Sequence, residues 1–83
     1  MLTRLQILDI IAGHAREVLP GLEDYQFKGS DSLTELGANS VDRAEIAMLA
    51  QESLSLSIPR VEMVGPSNIG ELADFFLIRL QNT

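Results

Sequence analysis

Three stretches of this chain repeat apolar side chains at steps of three and four, each bounded by a glycine, a proline or a capping residue. That spacing puts the apolar groups on one side of a helix, so it restricts the fold to helices packed face to face. In the first stretch, 3–18, the apolar set is Leu5, Leu8, Ile11, Ala15 and Val18; Thr3 can cap the start, and Pro20 and Gly21 stop the helix. The second runs from about Ser40 to Leu54. The third begins near Asn68, where Asn68 and Glu71 have capping-box spacing, and is expected to bury Ile69, Leu72, Phe75, Phe76 and Leu80.

Between the first two lies a long connection, from about Leu19 to Asn39, in which Leu22, Tyr25, Phe27, Leu33 and Leu36 follow no sustained period. A bare loop of that length is unusual in a compact domain, so these five side chains are expected to pin it to the core. From Ser53 to Ile58 serine alternates with apolar residues. One lone strand would have no partner, so a frayed helix end and turn is preferred there. Pro59 to Val64 reads as one short helical turn, bounded by Gly65 and Pro66. The expected fold is all-α: a four-helix bundle with three main helices, one short helix and a long first loop, forming a single domain over 1–83.

The 83 residues hold one modest core, and with 46% hydrophobic but only 5% aromatic residues that core must be aliphatic. There is no cysteine, which removes disulfides, thiolate metal sites and cysteine nucleophiles and fits a reducing cytoplasm, the expected location. No apolar run approaches the roughly 20 residues that cross a bilayer. Met1 to Ala12 includes Arg4, Gln6 and Asp9 with no small-residue cleavage site behind them, and reads as structure. A net charge of −6 and a pI near 4.5 oppose nucleic acid and anionic lipid surfaces as partners. Basic protein surfaces are favoured instead.

The second helix has more apolar residues than one core face needs. On a wheel, Ile46, Leu49, Ala50 and Ser53 share the core side with Leu54 at its margin, whereas Val41, Ala44 and Met48 lie opposite, beside Glu45 and Glu52. Two explanations are open: a helix buried on both sides, or a small contact patch rimmed by carboxylates, for which a flexible methionine is well suited. Asp31, Glu35, Asp42, Glu45 and Glu52 are opposed between 31 and 52 only by Arg43, which favours the second.

The segment Leu36-Gly37-Ala38-Asn39-Ser40-Val41-Asp42 resembles the attachment motif of acyl carrier proteins, and length, acidity and element order extend the resemblance over nearly the whole chain. The resemblance implies a 4′-phosphopantetheine arm, taken from coenzyme A by a phosphopantetheinyl transferase, on Ser40. It further implies a partner-recognition surface comprising Asn39, Val41, Asp42, Ala44, Glu45, Met48 and Glu52, in a carrier that is itself neither a catalyst nor a metal protein. Physical chemistry is consistent with this, because free N–H groups and the helix dipole stabilise an anion such as a phosphodiester at a helix start. A serine at such a position is ordinarily an N-cap, but Asn39 is itself a good cap with Asp42 three residues on, leaving the Ser40 hydroxyl free.

Two positions depart from the family pattern, which usually has aspartate at 39 and often leucine at 41. Losing a carboxylate removes a potential ion pair with the modifying enzyme. The run Gly-Ala-Asn-Ser-Val-Asp-Arg-Ala-Glu resembles free-standing donor carriers of polyketide β-branching cassettes. That subtype implies further partners: an acyltransferase, a ketosynthase-like decarboxylase that turns malonyl into acetyl, and an HMG-CoA synthase-like enzyme that receives it. The alternatives are a general fatty-acid or polyketide carrier and, in a different class, an unmodified helical interaction module; a monomer is expected in each case. A hydrolase is the weakest reading, since the single histidine, His14, lies in the first helix and reads as a surface or packing residue.

Overall fold

Thr3 starts the first helix through a complete capping box: its hydroxyl accepts from the Gln6 N–H at 3.2 Å, and the Gln6 side chain accepts from the Thr3 N–H at 2.8 Å. In the computed structural model, which describes residues 2–63 and 65–82 apart from the Arg60 side chain, three α-helices follow one another. These are α1 (Arg4–Val18), α2 (Ser40–Ser53) and α3 (Ile69–Gln81), with a 3-10 turn at Arg60–Met63 between α2 and α3. Val64, the last residue of the expected short turn, lies outside the described residues. The element order is the expected one, and no strand forms among the described residues.

Helix α1 packs against both α2 and α3, and the core gathers where the three faces meet: Ile7, Ile11 and Ala15 of α1, Ile46 and Ala50 of α2, and Ile69, Ala73 and Phe76 of α3. Three residues expected in this core, Leu5, Leu49 and Ser53, are outside it. Leu5 is 71% exposed, because it lies about 120° round the helix from the fully buried Ile11. Ile7 and Ala12 occupy the buried face instead. Ser53 is exposed at the end of α2, while Leu54, placed at the margin of that face, is buried and Leu49 only half-buried. The α2 core face is therefore rotated toward Leu54. In α3, Phe75 and Leu80 pack against the core from its edge and Phe76 fills its centre.

The alternating segment after α2 is a helix stop. Ser55 adopts φ +57°, the Leu56 N–H donates to the Gln51 carbonyl at 2.8 Å, and the Ser55 N–H donates to the Glu52 carbonyl. That is a Schellman turn with serine where glycine is normally found. The left-handed conformation strains a residue with a Cβ, so Ser55→Gly is expected to raise the unfolding free energy by about 0.5–1 kcal/mol, read as a higher denaturant midpoint at unchanged m-value.

Of the five loop residues expected to pin the first loop, Leu33 is buried and Leu22 and Phe27 pack on the core, whereas Leu36 is half-buried outside the core cluster and Tyr25 is held by its polar groups. Polar ties complete the attachment. Arg16 donates to the Tyr25 carbonyl, and the Tyr25 hydroxyl donates to the Asp31 carboxylate at 3.0 Å, which also accepts from the Lys28 N–H. The hydrogen bond to Asp31 pushes the Tyr25 phenol above its ordinary value, with desolvation and the carboxylate charge acting in the same direction. This tie is therefore fully present below about pH 10 and is lost as pH rises through the raised value. The loop then reaches α3, where the Ile69 N–H donates to the Asp31 carbonyl at 3.0 Å and the Gly70 N–H to the Gly29 carbonyl at 2.8 Å. Two of the N–H groups that a helix start leaves unpaired are thereby satisfied by the loop.

Candidate functional site

The site is organised by the start of α2. Gly37, with φ +102°, reverses the chain, and buried Ala38 anchors the turn beneath the helix. Asn39 is the N-cap: its side chain accepts from the Asp42 N–H at 2.8 Å, while the Asp42 carboxylate accepts from the Asn39 N–H at 3.2 Å. Because the neighbour does the capping, Ser40 is the first residue of the helix proper. Its side chain is exposed, and its hydroxyl makes no hydrogen bond with a described residue. The hydroxyl is thus free at the positive end of the α2 dipole, the place best suited to a phosphate ester.

From Ser40 a groove of about 1100 Å³ runs between α2 and the start of α3. Val41, Ala44 and Met48 form its α2 wall, and Ile58, Met63 and Leu72 lie across from them. Val41 is 72% exposed and Met48 55%, with Glu45 and Glu52 exposed alongside, so the second apolar face of α2 is open to solvent. A helix buried on both sides does not describe α2.

The expected partner-face residues are therefore brought together along one helix, with differences in how free they are. Val41, Glu45, Met48 and Glu52 present side chains outward, and Ala44 is half-buried between them. Asn39 and Asp42 already serve the capping box. Asp31, counted with the acidic run, is occupied by Tyr25 and Lys28 of the first loop and does not extend the α2 face.

Sequence reasoning missed Gln51. Its Oε1 accepts from the Ile58 N–H at 2.7 Å and its Nε2 lies 3.8 Å from the Met63 sulfur, so this one side chain fixes the segment that forms the far wall of the groove. Nothing in the spacing distinguishes it from a solvated glutamine. His14 is also less isolated than its position in α1 suggested: Nε2 lies 2.8 Å from the Ser53 hydroxyl, and Nδ1 is 3.5 Å from a Glu17 carboxylate oxygen without making a hydrogen bond. These three residue types are those of a nucleophile triad, but Ser53 is at the carboxyl end of α2, where backbone carbonyls oppose a developing anion and no free N–H groups await it. The contact ties α1 to α2.

The family model for the phosphopantetheine attachment site matches residues 9–76. The chain belongs to the acyl carrier family. Its cofactor is accordingly a covalently attached 4′-phosphopantetheine arm, and the family acts by carrying rather than by catalysis. The free Ser40 hydroxyl and the groove beside it fit such a group. The chain is 47% identical over 77 residues to the polyketide biosynthesis acyl-carrier-protein AcpK of Bacillus subtilis (strain 168), covering 93% of this chain and 94% of that one. It is also similar, at 52% identity and a TM-score of 0.85, to a chain in the crystal structure of the curacin biosynthetic pathway HMG synthase in complex with acetyl donor-ACP. That match covers 90% of this chain and 96% of the other. No described helix of this acyl carrier is long and apolar enough to cross a membrane.

Proposed function

We propose that Ser40 bears the arm and that this acyl carrier serves polyketide biosynthesis as the acetyl donor to an HMG-CoA synthase-like enzyme. The observation that carries the attachment is local: Asn39 takes the capping role, leaving the Ser40 hydroxyl exposed at the head of α2 and without a hydrogen bond to a described residue. The similarity to a chain from a complex of HMG synthase with acetyl donor-ACP supports the donor role.

When bound, the arm supplies a terminal thiol that holds cargo as a thioester. The protein's own part is to present that arm and to be selected by the right enzymes. The carboxylates of Glu45 and Glu52 draw basic partner surfaces toward α2, and Val41 and Met48 provide the apolar contact once water is expelled. The partners this reading requires are a phosphopantetheinyl transferase, an acyltransferase that loads malonyl, a ketosynthase-like decarboxylase that releases carbon dioxide to leave acetyl, and the synthase. Asn39 in place of aspartate bears on which class of transferase accepts the chain, because it offers no charge at that position.

Intact-mass measurement after incubation with coenzyme A, magnesium and a broad-specificity transferase tests the attachment, with peptide mapping to locate the gain. The holo protein is then expected to accept malonyl, lose carbon dioxide with the decarboxylase and hand acetyl to the synthase. Failure of that last transfer with partners known to be competent would reject the donor role. Met48→Ala and Glu45→Lys are each expected to lower the transfer rate about tenfold, roughly 1.4 kcal/mol, at unchanged helicity by circular dichroism. Unaltered rates in both would assign those side chains to the fold alone.

A further inference from the structure

Arg43 is out of place by the rules of its own helix. The first turn of a helix favours acids, because its end of the dipole is positive, and a cation there gains nothing from the backbone charge. Arg43 nevertheless sits at the fourth residue of α2 and is the one lysine or arginine between positions 31 and 52. It is exposed, and among the described residues it takes part in none of the ion pairs, which join Arg4 to Asp74, His14 to Glu17 and Arg79 to Glu62. Neither the helix dipole nor a salt bridge among the described residues accounts for it.

Its direction is informative. Nε donates to the carbonyl of Asn39, the N-cap residue, at 3.4 Å. The side chain is thereby folded back toward the helix start instead of extending into solvent. Ser40 lies three residues earlier on the same side of the helix, where Cβ atoms are roughly 5–6 Å apart, and both residues line the groove. The Nε–H is engaged with Asn39, and the remaining guanidinium N–H groups make no hydrogen bond with a described residue.

We infer that Arg43 is a positioning residue for the cofactor, its guanidinium binding the phosphodiester formed on Ser40. The inference rests on Ser40 being the attachment point. Arginine suits the task because its planar fork presents parallel donors to phosphate oxygens and never loses its charge. The contact is exposed, so salt weakens it. Its effect is to hold the phosphate end of the arm against the start of α2 and on the groove side, reducing the freedom of the segment that each partner must engage.

The test compares apo and holo protein, prepared with the transferase, for the wild type, Arg43→Gln and Arg43→Lys. In the wild type the Arg43 Nε–H NMR signal is expected to shift on conversion from apo to holo. The 31P signal of the holo protein is expected to differ between wild type and Arg43→Gln, with Arg43→Lys in between, and the differences should collapse in 1 M salt. Circular dichroism and the mass gain should be the same in all three. If the holo form is made normally and neither the Arg43 nor the 31P signal depends on the partner group, this inference is overturned while the attachment stands. If the wild type gains no mass, the attachment reading and this inference fall together.

Discussion

Replacing Ser40 with alanine is expected to abolish phosphopantetheinylation completely while leaving the bundle as stable as before. The loss is total because the transferase forms a phosphate ester with this one oxygen, and alanine has no atom to offer. The fold is indifferent to the change for three reasons visible at the helix start. The capping bonds run between Asn39 and Asp42, so no orphan N–H loses its partner. The Ser40 side chain is exposed and makes no hydrogen bond with a described residue, so no packing is lost and nothing buried is left unpaired. Alanine is also the better helix former. The expected readouts are an unchanged intact mass under conditions that modify the wild type, and an unfolding free energy within about 0.5 kcal/mol of it. A residual mass gain in Ser40→Ala would place the attachment at another hydroxyl.

Gly70→Ala is expected to destabilise the protein by about 1–3 kcal/mol, several degrees or more in melting temperature for a domain of this size. A Cβ at position 70 would stand 2.7 Å from the Gly29 carbonyl oxygen and 2.8 Å from Nη2 of Arg4. The arginine tip can move aside, but the carbonyl is backbone and accepts the Gly70 N–H at 2.8 Å, so relief requires the loop to withdraw from α3. Withdrawal would break the neighbouring bond from the Ile69 N–H to the Asp31 carbonyl and disturb the wall of the groove nearest Asn68 and Ile69. Gly29 is the internal control. A Cβ there meets nothing closer than 3.7 Å and its φ is not in the left-handed region, so Gly29→Ala should remain within about 0.5 kcal/mol of the wild type. Equal stabilities for the two alanine variants would show that the loop is not held in contact with α3. The modification of Ser40 should persist in both, since neither glycine touches the α2 start.

How much was legible in the chain differs from element to element. The capping pair of Asn39 and Asp42 was readable because an N-cap bond spans only three residues, and the structure forms it in both directions. Asn68 and Glu71 share that spacing, yet only half the box forms: Asn68 accepts from the Glu71 N–H, while the Glu71 carboxylate turns to the Ser67 N–H and hydroxyl. Spacing permits such a bond, and competition from a neighbouring donor decides whether it is made. The apolar period located α1 correctly but misjudged its rotation by assigning Leu5 to the core, since a wheel reports which residues share a side and not where its neighbours stop.

Local sequence, acting over one or two helical turns, determined three helices, their caps, the hydroxyl released at position 40 and the second apolar stripe on α2. Those properties depend on backbone geometry repeated every few residues, which a linear pattern records. Tertiary packing alone decided that this stripe faces an open groove, that Gln51 braces the opposite wall, that Gly70 lies against Gly29, and that His14 meets Ser53. Each of these brings together residues that no helical repeat places side by side, or depends on how α1 holds two helices apart, and no local periodicity encodes a distance between faces.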